Sequence, residues 1–192
     1  KVMADRNFEV RDLLYRINYA VPYYVLMLTK GGVRFFEGEW DDLNEVKDGH
    51  FPKEYEEEYI YNPPSRGNSY SGNSEVKSFE RDKSVLEEIR FKDFFRHSDK
   101  LLKGYLAVNK PLILLGTEKE LAWFEKVSVH KKSIIAKHEG SYNYSGKKEL
   151  GDIVWPLMWS YLQDQGRLLV KEFQEKIGQG LGVTGIQETC SA

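Results

Sequence analysis

Two short apolar runs separated by glycines give the clearest pattern in the first third of the chain. Tyr23 to Thr29 is a dense apolar run, which is typical of a buried strand. Lys30-Gly31-Gly32 follows, and paired glycines suit a tight turn because they accept positive φ. Val33 to Glu37 then predicts a returning strand, and Leu43 to Val46 predicts a third strand after the Asp41-Asp42 turn. The pattern therefore indicates an antiparallel meander.

Helices and strands alternate in the remainder of the chain. Apolar residues that recur at spacings of three and four predict helices, and short apolar runs ended by glycine predict strands. The predicted elements are a helix from Ser84 to Val108, a strand from Pro111 to Leu115, a helix from Glu118 to Val127, a strand from Ser133 to Lys137 and a long helix from Lys147 to Ile177. Thr117 and Glu120 form a capping-box pattern at the middle helix. Pro156 is expected to kink the last helix. A short helix from Phe8 to Ile17 is predicted before the meander, and Pro22 ends it.

The order of these elements predicts the fold class. A meander followed by two right-handed crossovers places three antiparallel strands beside two parallel strands. We therefore predict an α/β protein with a ribonuclease-H-like mixed sheet flanked by helices.

The metal-dependent nuclease chemistry of that sheet is excluded by the sequence. Such a nuclease needs carboxylates on the first strand and at the end of the next parallel strand, where they hold two metal ions. Neither Tyr23 to Thr29 nor Pro111 to Gly116 contains an acidic residue. His97, Ser98 and Asp99 are consecutive on a helix, so they point in different directions and their spacing does not form a triad. We predict no catalytic residues, no metal site and no cofactor.

Composition and charge limit the kinds of partner and compartment that we expect for this chain. The chain is 41% hydrophobic with a net charge of −2, so it can build a core but has no overall attraction for nucleic acid. Lys126 to Lys148 nevertheless carries six lysines against one glutamate, and Glu37 to Tyr59 carries ten acidic residues against two lysines. Cys190 is the single cysteine, which excludes an internal disulfide and fits a reducing compartment. There is no signal peptide and no apolar run of about 20 residues, so we expect a cytoplasmic protein with no membrane partner.

Several short motifs, taken in order, resemble one protein family. They are Val25 to Gly38, Leu43 to Val46, Phe51-Pro52, Pro111 to Gly116 and Glu149-Leu150. Together they resemble the bacterial archaeo-eukaryotic release factors, and most closely the third bacterial family, over roughly residues 8–190. The resemblance implies three parts in this chain. Residues 1–21 would be the tail of an N-terminal domain, 22–177 the ribonuclease-H-like middle domain and 178–192 the start of a truncated C-terminal domain.

The resemblance also draws attention to a missing motif. Release factors carry a Gly-Gly-Gln tip on the loop before the long helix, and its glutamine positions water at the peptidyl-tRNA ester. The corresponding loop here runs from Asn62 to Lys77, and no glutamine precedes Gln163. The side chain of Asn68 is one methylene shorter than that of glutamine, and only one glycine, Gly67, precedes it. No catalytic role is therefore transferred to Asn68. The residues that replace the tip are Arg66, Gly67, Asn68, Tyr70 and Gly72.

Three functional hypotheses follow. The first is a non-catalytic translation protein that binds the ribosome, tRNA or rRNA, as pelota-like members without the tip do in ribosome rescue. Its nucleic-acid-binding candidates are Lys131, Lys132, Lys137, Tyr142, Tyr144, Lys147 and Lys148. The lysines would contact phosphates, and the tyrosines would stack on unpaired bases or simply cover their loop.

The second hypothesis is a protein-binding scaffold or regulatory module. Its partner patch would combine the acidic segment Glu37 to Tyr59 with the aromatic residues Trp40, Tyr55, Tyr59 and Tyr61. The third is a hydrolase of an RNA-linked ester or phosphodiester. It would require Arg66, Tyr70, Arg81, Arg96 and His97 to converge.

Overall fold

One mixed sheet lies between helices in the computed structural model of this protein. The structure describes residues 20–56, 74–106, 110–142 and 146–181, with only the backbone of 74–84. The strands are β1 Tyr23–Thr29, β2 Gly32–Glu39, β3 Asp42–Glu45, β4 Lys53–Glu54, β5 Leu112–Gly116 and β6 Ile134–Glu139. The helices are α1 Ser74–Leu102, α2 Glu118–Val127 and α3 Lys147–Gly178. Among the described residues, no helix is both long and apolar enough to cross a membrane.

The strand order confirms the predicted fold class. The sheet runs β3-β2-β1-β5-β6, with β4 paired to β2 beyond this path. β1, β2 and β3 pair antiparallel, whereas β1, β5 and β6 pair parallel. This is a meander joined to two crossovers, as in a ribonuclease-H-like sheet. The two-residue strand β4 was not predicted.

The alternation of side chains along β1 divides the core into two layers. Tyr24, Leu26 and Leu28 point to the side that α1 and α2 cover. Tyr23, Val25 and Met27 point to the opposite side, which α3 covers. Because both faces of the sheet are covered by helices, the central strands are apolar at nearly every position.

Local sequence signals explain how two of the elements begin. The backbone N–H and the Oγ1 of Thr117 both donate to Glu120 Oε2 at 2.9 Å, so the predicted capping-box pair does meet at the start of α2. Gly32 starts β2 with a φ of 145°, and a Cβ there would lie 2.3 Å from the carbonyl oxygen of Lys53. No other residue type fits between β2 and β4 at that point.

The boundaries of α1 differ from the prediction. The helix begins at Ser74, ten residues before the predicted start at Ser84, and it ends at Leu102 rather than Val108. Beyond Leu102 the chain turns, and the ring of Tyr105 packs edge-on against Phe35 at a centroid distance of 5.1 Å. Tyr105 therefore packs in the core after the helix has ended, at a position where the sequence pattern predicted that the helix continues. The predicted helix from Phe8 to Ile17 lies outside the described residues.

The turn between β2 and β3 fixes the position of α3. Trp40 has a φ of 59°, and its carbonyl oxygen accepts a hydrogen bond of 2.6 Å from the Tyr23 hydroxyl. The Trp40 indole packs on Trp155 of α3, with 5.1 Å between ring centroids. One helical turn earlier, a Cβ on Gly151 would lie only 2.1 Å from the carbonyl oxygen of Asp41. The helix backbone touches the turn here because residue 151 has no side chain.

Candidate nucleic-acid interface

Five of the predicted RNA-contacting residues are lysines, of which three lie in or next to the edge strand β6 and two begin the following helix. β6 is paired to β5 on one side only among the described residues. Lys131 and Lys132 lie in the turn that leads into β6, and Lys137 lies within the strand. Lys147 and Lys148 form the start of α3, after the loop that follows β6. All five side chains are exposed.

Acidic neighbours neutralise only part of this charge. The Nζ of Lys137 lies 3.0 Å from Glu125, and the Nζ of Lys126 lies 3.8 Å from Glu88. Within the described residues, no carboxylate oxygen lies within 4.0 Å of the other four lysines. These four are Lys131, Lys132, Lys147 and Lys148. Their charge is available to an external anion.

A shallow groove adjoins the basic edge. Its volume is about 160 Å³, and it lies between the end of α2 and β6. Lys131 and Lys137 line it together with Glu125 and the apolar side chains of Ile134 and Ile135. The groove is therefore lined by both apolar and charged side chains.

Tyr142 does not belong to this exposed surface. Its side chain is only 5% exposed and packs in the core layer under α3. The hydroxyl is hydrogen-bonded to Nδ1 of His138, and burial raises the pKa of the Tyr142 hydroxyl. A ring buried in this way covers its loop and is not available to stack on a base. Tyr144 lies outside the described residues.

A buried aspartate on α1 anchors the turn that presents Lys131 and Lys132. Asp99 is 2% exposed, and its Oδ1 accepts a hydrogen bond of 2.6 Å from the hydroxyl of Ser128. Its Oδ2 accepts a 2.9 Å hydrogen bond from the backbone N–H of Val129. The Nδ1 of His130 lies 3.1 Å from Oδ1 of Asp99. Three consecutive residues before the two lysines are therefore tied to one carboxylate.

Sequence reasoning missed this network. Asp99 was considered there only beside His97 and Ser98. The residues of the network are 29 to 31 positions apart along the chain, so local spacing carried no sign of it. Ser128 is engaged with Asp99 and with the backbone N–H of His130 at 3.1 Å, which is an anchoring role rather than that of a nucleophile.

The loop that replaces the Gly-Gly-Gln tip is described only at its base. Tyr55 stacks on Phe91 of α1 with 4.4 Å between ring centroids, which fixes the point where the chain leaves the sheet. Residues 57–73 lie outside the described part of the structure. The five tip-replacing residues fall within that range and stay predictions; they are Arg66, Gly67, Asn68, Tyr70 and Gly72.

The described residues give less support to the protein-binding patch and to the hydrolase site. Trp40 and Tyr55, assigned to a protein-binding patch, pack on Trp155 and Phe91 respectively. Arg96 pairs with Asp93, and the Nδ1 of the exposed His97 lies 2.8 Å from a backbone oxygen. Among the described residues, no group of three or more His, Cys, Asp or Glu side chains is arranged to hold a metal ion.

The fold and its strand composition together define the class of protein. The observed bounds of β1 and β5 contain no acidic residue, so this is a ribonuclease-H-like sheet without the carboxylates of a nuclease on those two strands. A family model matches residues 22–192. The chain belongs to bacterial archaeo-eukaryotic release factor family 3.

Other comparisons add little detail. A search of curated proteins found no match. One similar solved structure is described as an archaeal protein, with 14% identity and a TM-score of 0.36. The alignment covers 98% of this chain and 50% of that one, so this chain spans about half the length of the archaeal protein.

Proposed function

We propose that this chain is a non-catalytic, release-factor-like module that binds rRNA or tRNA on the ribosome. Its family membership supports a role related to translation. The observation that carries the RNA-binding proposal is a set of four exposed lysines that have no carboxylate oxygen within 4.0 Å among the described residues. They are Lys131, Lys132, Lys147 and Lys148.

The physical basis of this binding is contact with phosphates. A lysine that neutralises a phosphate releases condensed counterions, and each such contact contributes about 0.7 to 0.9 to the slope of log K against log salt. Four contacts would therefore give a slope of about 3 from these lysines. Asp99 supports the proposal because it holds the turn before Lys131 in one conformation, which lowers the entropy lost when RNA binds.

A binding role without hydrolysis is supported by what the sequence lacks. There is no Gly-Gly-Gln in the sequence, and the side chain of Asn68 is one methylene shorter than that of glutamine. We therefore expect no release of a nascent peptide from peptidyl-tRNA. Purified protein added to ribosomes with a labelled nascent chain should leave that chain attached.

Co-sedimentation with stalled ribosomes across a salt series tests the proposal. Two double variants each remove two positive charges: Lys131→Gln/Lys132→Gln and Lys147→Gln/Lys148→Gln. Each should lower the slope of log K against log salt by about 1.5, and the two combined should lower it by about 3. Lys100→Gln/Lys103→Gln is the matched control, because both lysines are exposed, Lys100 in the last turn of α1 and Lys103 directly after the helix. Absence of co-sedimentation at low salt would overturn the proposal, as would an equal loss in the control.

A further inference from the structure

His130 lies at the base of the turn that presents two of the four lysines. The carbonyl oxygen of His130 accepts a 2.9 Å hydrogen bond from the backbone N–H of Ser133, so Lys131 and Lys132 are the two central residues of a closed turn. The imidazole of His130 directly precedes both lysines and contacts the buried Asp99. A nucleic-acid strand whose phosphates contact these lysines therefore comes near this imidazole.

The contact with Asp99 determines which ring nitrogen of His130 carries the hydrogen. A carboxylate has only acceptor sites, and Nδ1 of His130 lies 3.1 Å from Oδ1 of Asp99. The same carboxylate accepts hydrogen bonds from the Ser128 hydroxyl and the Val129 N–H, so each of these neighbours acts as a donor. Nδ1 therefore carries the hydrogen, and in the neutral imidazole Nε2 is left with a lone pair.

Nε2 of His130 is open to a ligand. The side chain is 16% exposed, and Nε2 forms no hydrogen bond with any of the described residues. Within the described part of the chain, no side-chain nitrogen or oxygen is both buried and without a hydrogen-bond partner, so solvent must reach Nε2. The turn thus presents one acceptor atom beside two cations.

The acceptor and the cations suit different groups of a nucleic acid. The ammonium groups of Lys131 and Lys132 are donors and match phosphate, which offers only acceptor oxygens. An Nε2 without hydrogen cannot bond to such a phosphate, because both atoms are acceptors. It can accept a hydrogen bond from a hydroxyl group. RNA carries a 2′-hydroxyl on each ribose beside the phosphates, and DNA lacks it.

We propose that Nε2 of His130 accepts a hydrogen bond from a ribose 2′-hydroxyl and makes this turn selective for RNA over DNA. The inference rests on the proposed function, since it concerns the same lysine-bearing surface. The lysines supply affinity that RNA and DNA share, whereas His130 supplies the preference between them. Asp99 is a positioning residue, because it acts on the ligand only by fixing the hydrogen on Nδ1 and the orientation of the ring.

NMR of the imidazole nitrogens tests the position of the hydrogen without any nucleic acid. At about pH 8, where histidine side chains are ordinarily neutral, the His130 ring should show hydrogen on Nδ1 and none on Nε2. His130→Asn identifies the resonances of this ring among those of the four histidines. A hydrogen on Nε2 would refute the inference, whatever the result for RNA binding.

Fluorescence anisotropy with two single-stranded oligonucleotides measures the preference. An oligouridine RNA and the same sequence built from deoxyuridine differ only in the 2′-hydroxyl. At low salt, the wild-type protein should bind the RNA about three- to tenfold more tightly, the effect of one hydrogen bond. Lys131→Gln/Lys132→Gln is the control and should weaken both complexes equally, so that the ratio of dissociation constants stays the same.

Two substitutions at residue 130 separate ligand contact from anchoring. The amide of asparagine can replace Nδ1 as the donor to Asp99 but does not extend to the position of Nε2, whereas the longer glutamine can bring an amide oxygen near that position. His130→Asn should therefore abolish the preference with little change in melting temperature. His130→Gln should keep more of the preference although it unfolds at a lower temperature.

The outcomes distinguish this inference from the proposed function. Equal affinity of the wild-type protein for the two oligonucleotides would overturn the inference, while co-sedimentation with ribosomes would leave the proposed function standing. A preference that falls in parallel with the melting temperature in both variants would assign His130 a structural role only. Failure to bind ribosomes and either oligonucleotide at low salt would refute both.

Discussion

Replacement of Asp99 by alanine should destabilise the domain strongly. The side chain is 2% exposed and accepts hydrogen bonds from Ser128 and Val129, with His130 as a third neighbour. Removing the carboxylate leaves these groups without their acceptor. A buried donor without a partner costs about 1 to 3 kcal/mol. Because the three contacts share one turn and their costs are not additive, we expect a total loss of about 3 to 5 kcal/mol.

Urea denaturation followed by tryptophan fluorescence measures this loss. Asp93→Ala on the same helix is the control. Asp93 is exposed, and among the described residues it forms an ion pair only with the exposed Arg96, so its loss should change stability by less than about 1 kcal/mol. Asp99→Asn should lie between them, because an amide keeps one acceptor oxygen but presents a donor to the Val129 N–H.

The same variant connects stability with the proposed interface. Under conditions where Asp99→Ala is still folded, release of the turn should weaken RNA binding through Lys131 and Lys132 without changing the charge of those residues. A loss of stability below about 1 kcal/mol would refute the reasoning, since it would mean that water satisfies the donors as well as the carboxylate does.

Two further predictions concern α3 and the sheet. Gly151→Ala should lower the free energy of unfolding by about 1 to 3 kcal/mol or more, because the methyl group would collide with the backbone of Asp41, whereas alanine normally favours a helix. Thermal denaturation should show little change for Gly178→Ala, where the added carbon meets no atom of the described residues within 4 Å, and equal effects in both variants would contradict this explanation. The hydrogen bond from Arg34 lowers the pKa of Glu45 below its usual 4.5. The pair therefore contributes stability above about pH 4.5, and this contribution is lost as the pH falls through the lowered pKa. In urea titrations at successive pH values, Arg34→Gln should make the free energy of unfolding fall less steeply with decreasing pH in this range. An unchanged pH dependence would show that the pair does not contribute.

Elements with clear ends could be predicted from sequence. β1 and α2 were predicted with their observed bounds because glycines, a capping pair and abrupt changes of polarity mark them. β4 was missed because two residues show no periodicity, and pairing across to Gly32 and Val33 defines it. The end of α1 was placed too late because the aromatic Tyr105 fits a helical pattern, although it packs beside Phe35 after the helix has ended.

The candidate interface was predictable in its charge but not in its detail. Six lysines in one segment indicated an exposed basic surface, and charged side chains are rarely buried. The burial of Tyr142 and the anchoring by Asp99 depend on contacts between distant elements. Neither leaves a periodic trace in the sequence, so only the assembled fold shows which polar residues build the surface and which support it.

The two short strands beside β2 have a consequence for how copies of this protein behave at high concentration. β3 pairs with β2 along Phe36 to Glu39, and β4 pairs with it at Gly32 and Val33. These edge strands have only four and two residues, so this border offers little open backbone to a foreign strand. On the opposite border, β6 ends in the exposed polar residues Lys137, His138 and Glu139. Both borders thus disfavour the edge-to-edge polymerisation that leads to amyloid. Folded molecules should therefore resist aggregation through the edges of their sheets, even at high concentration.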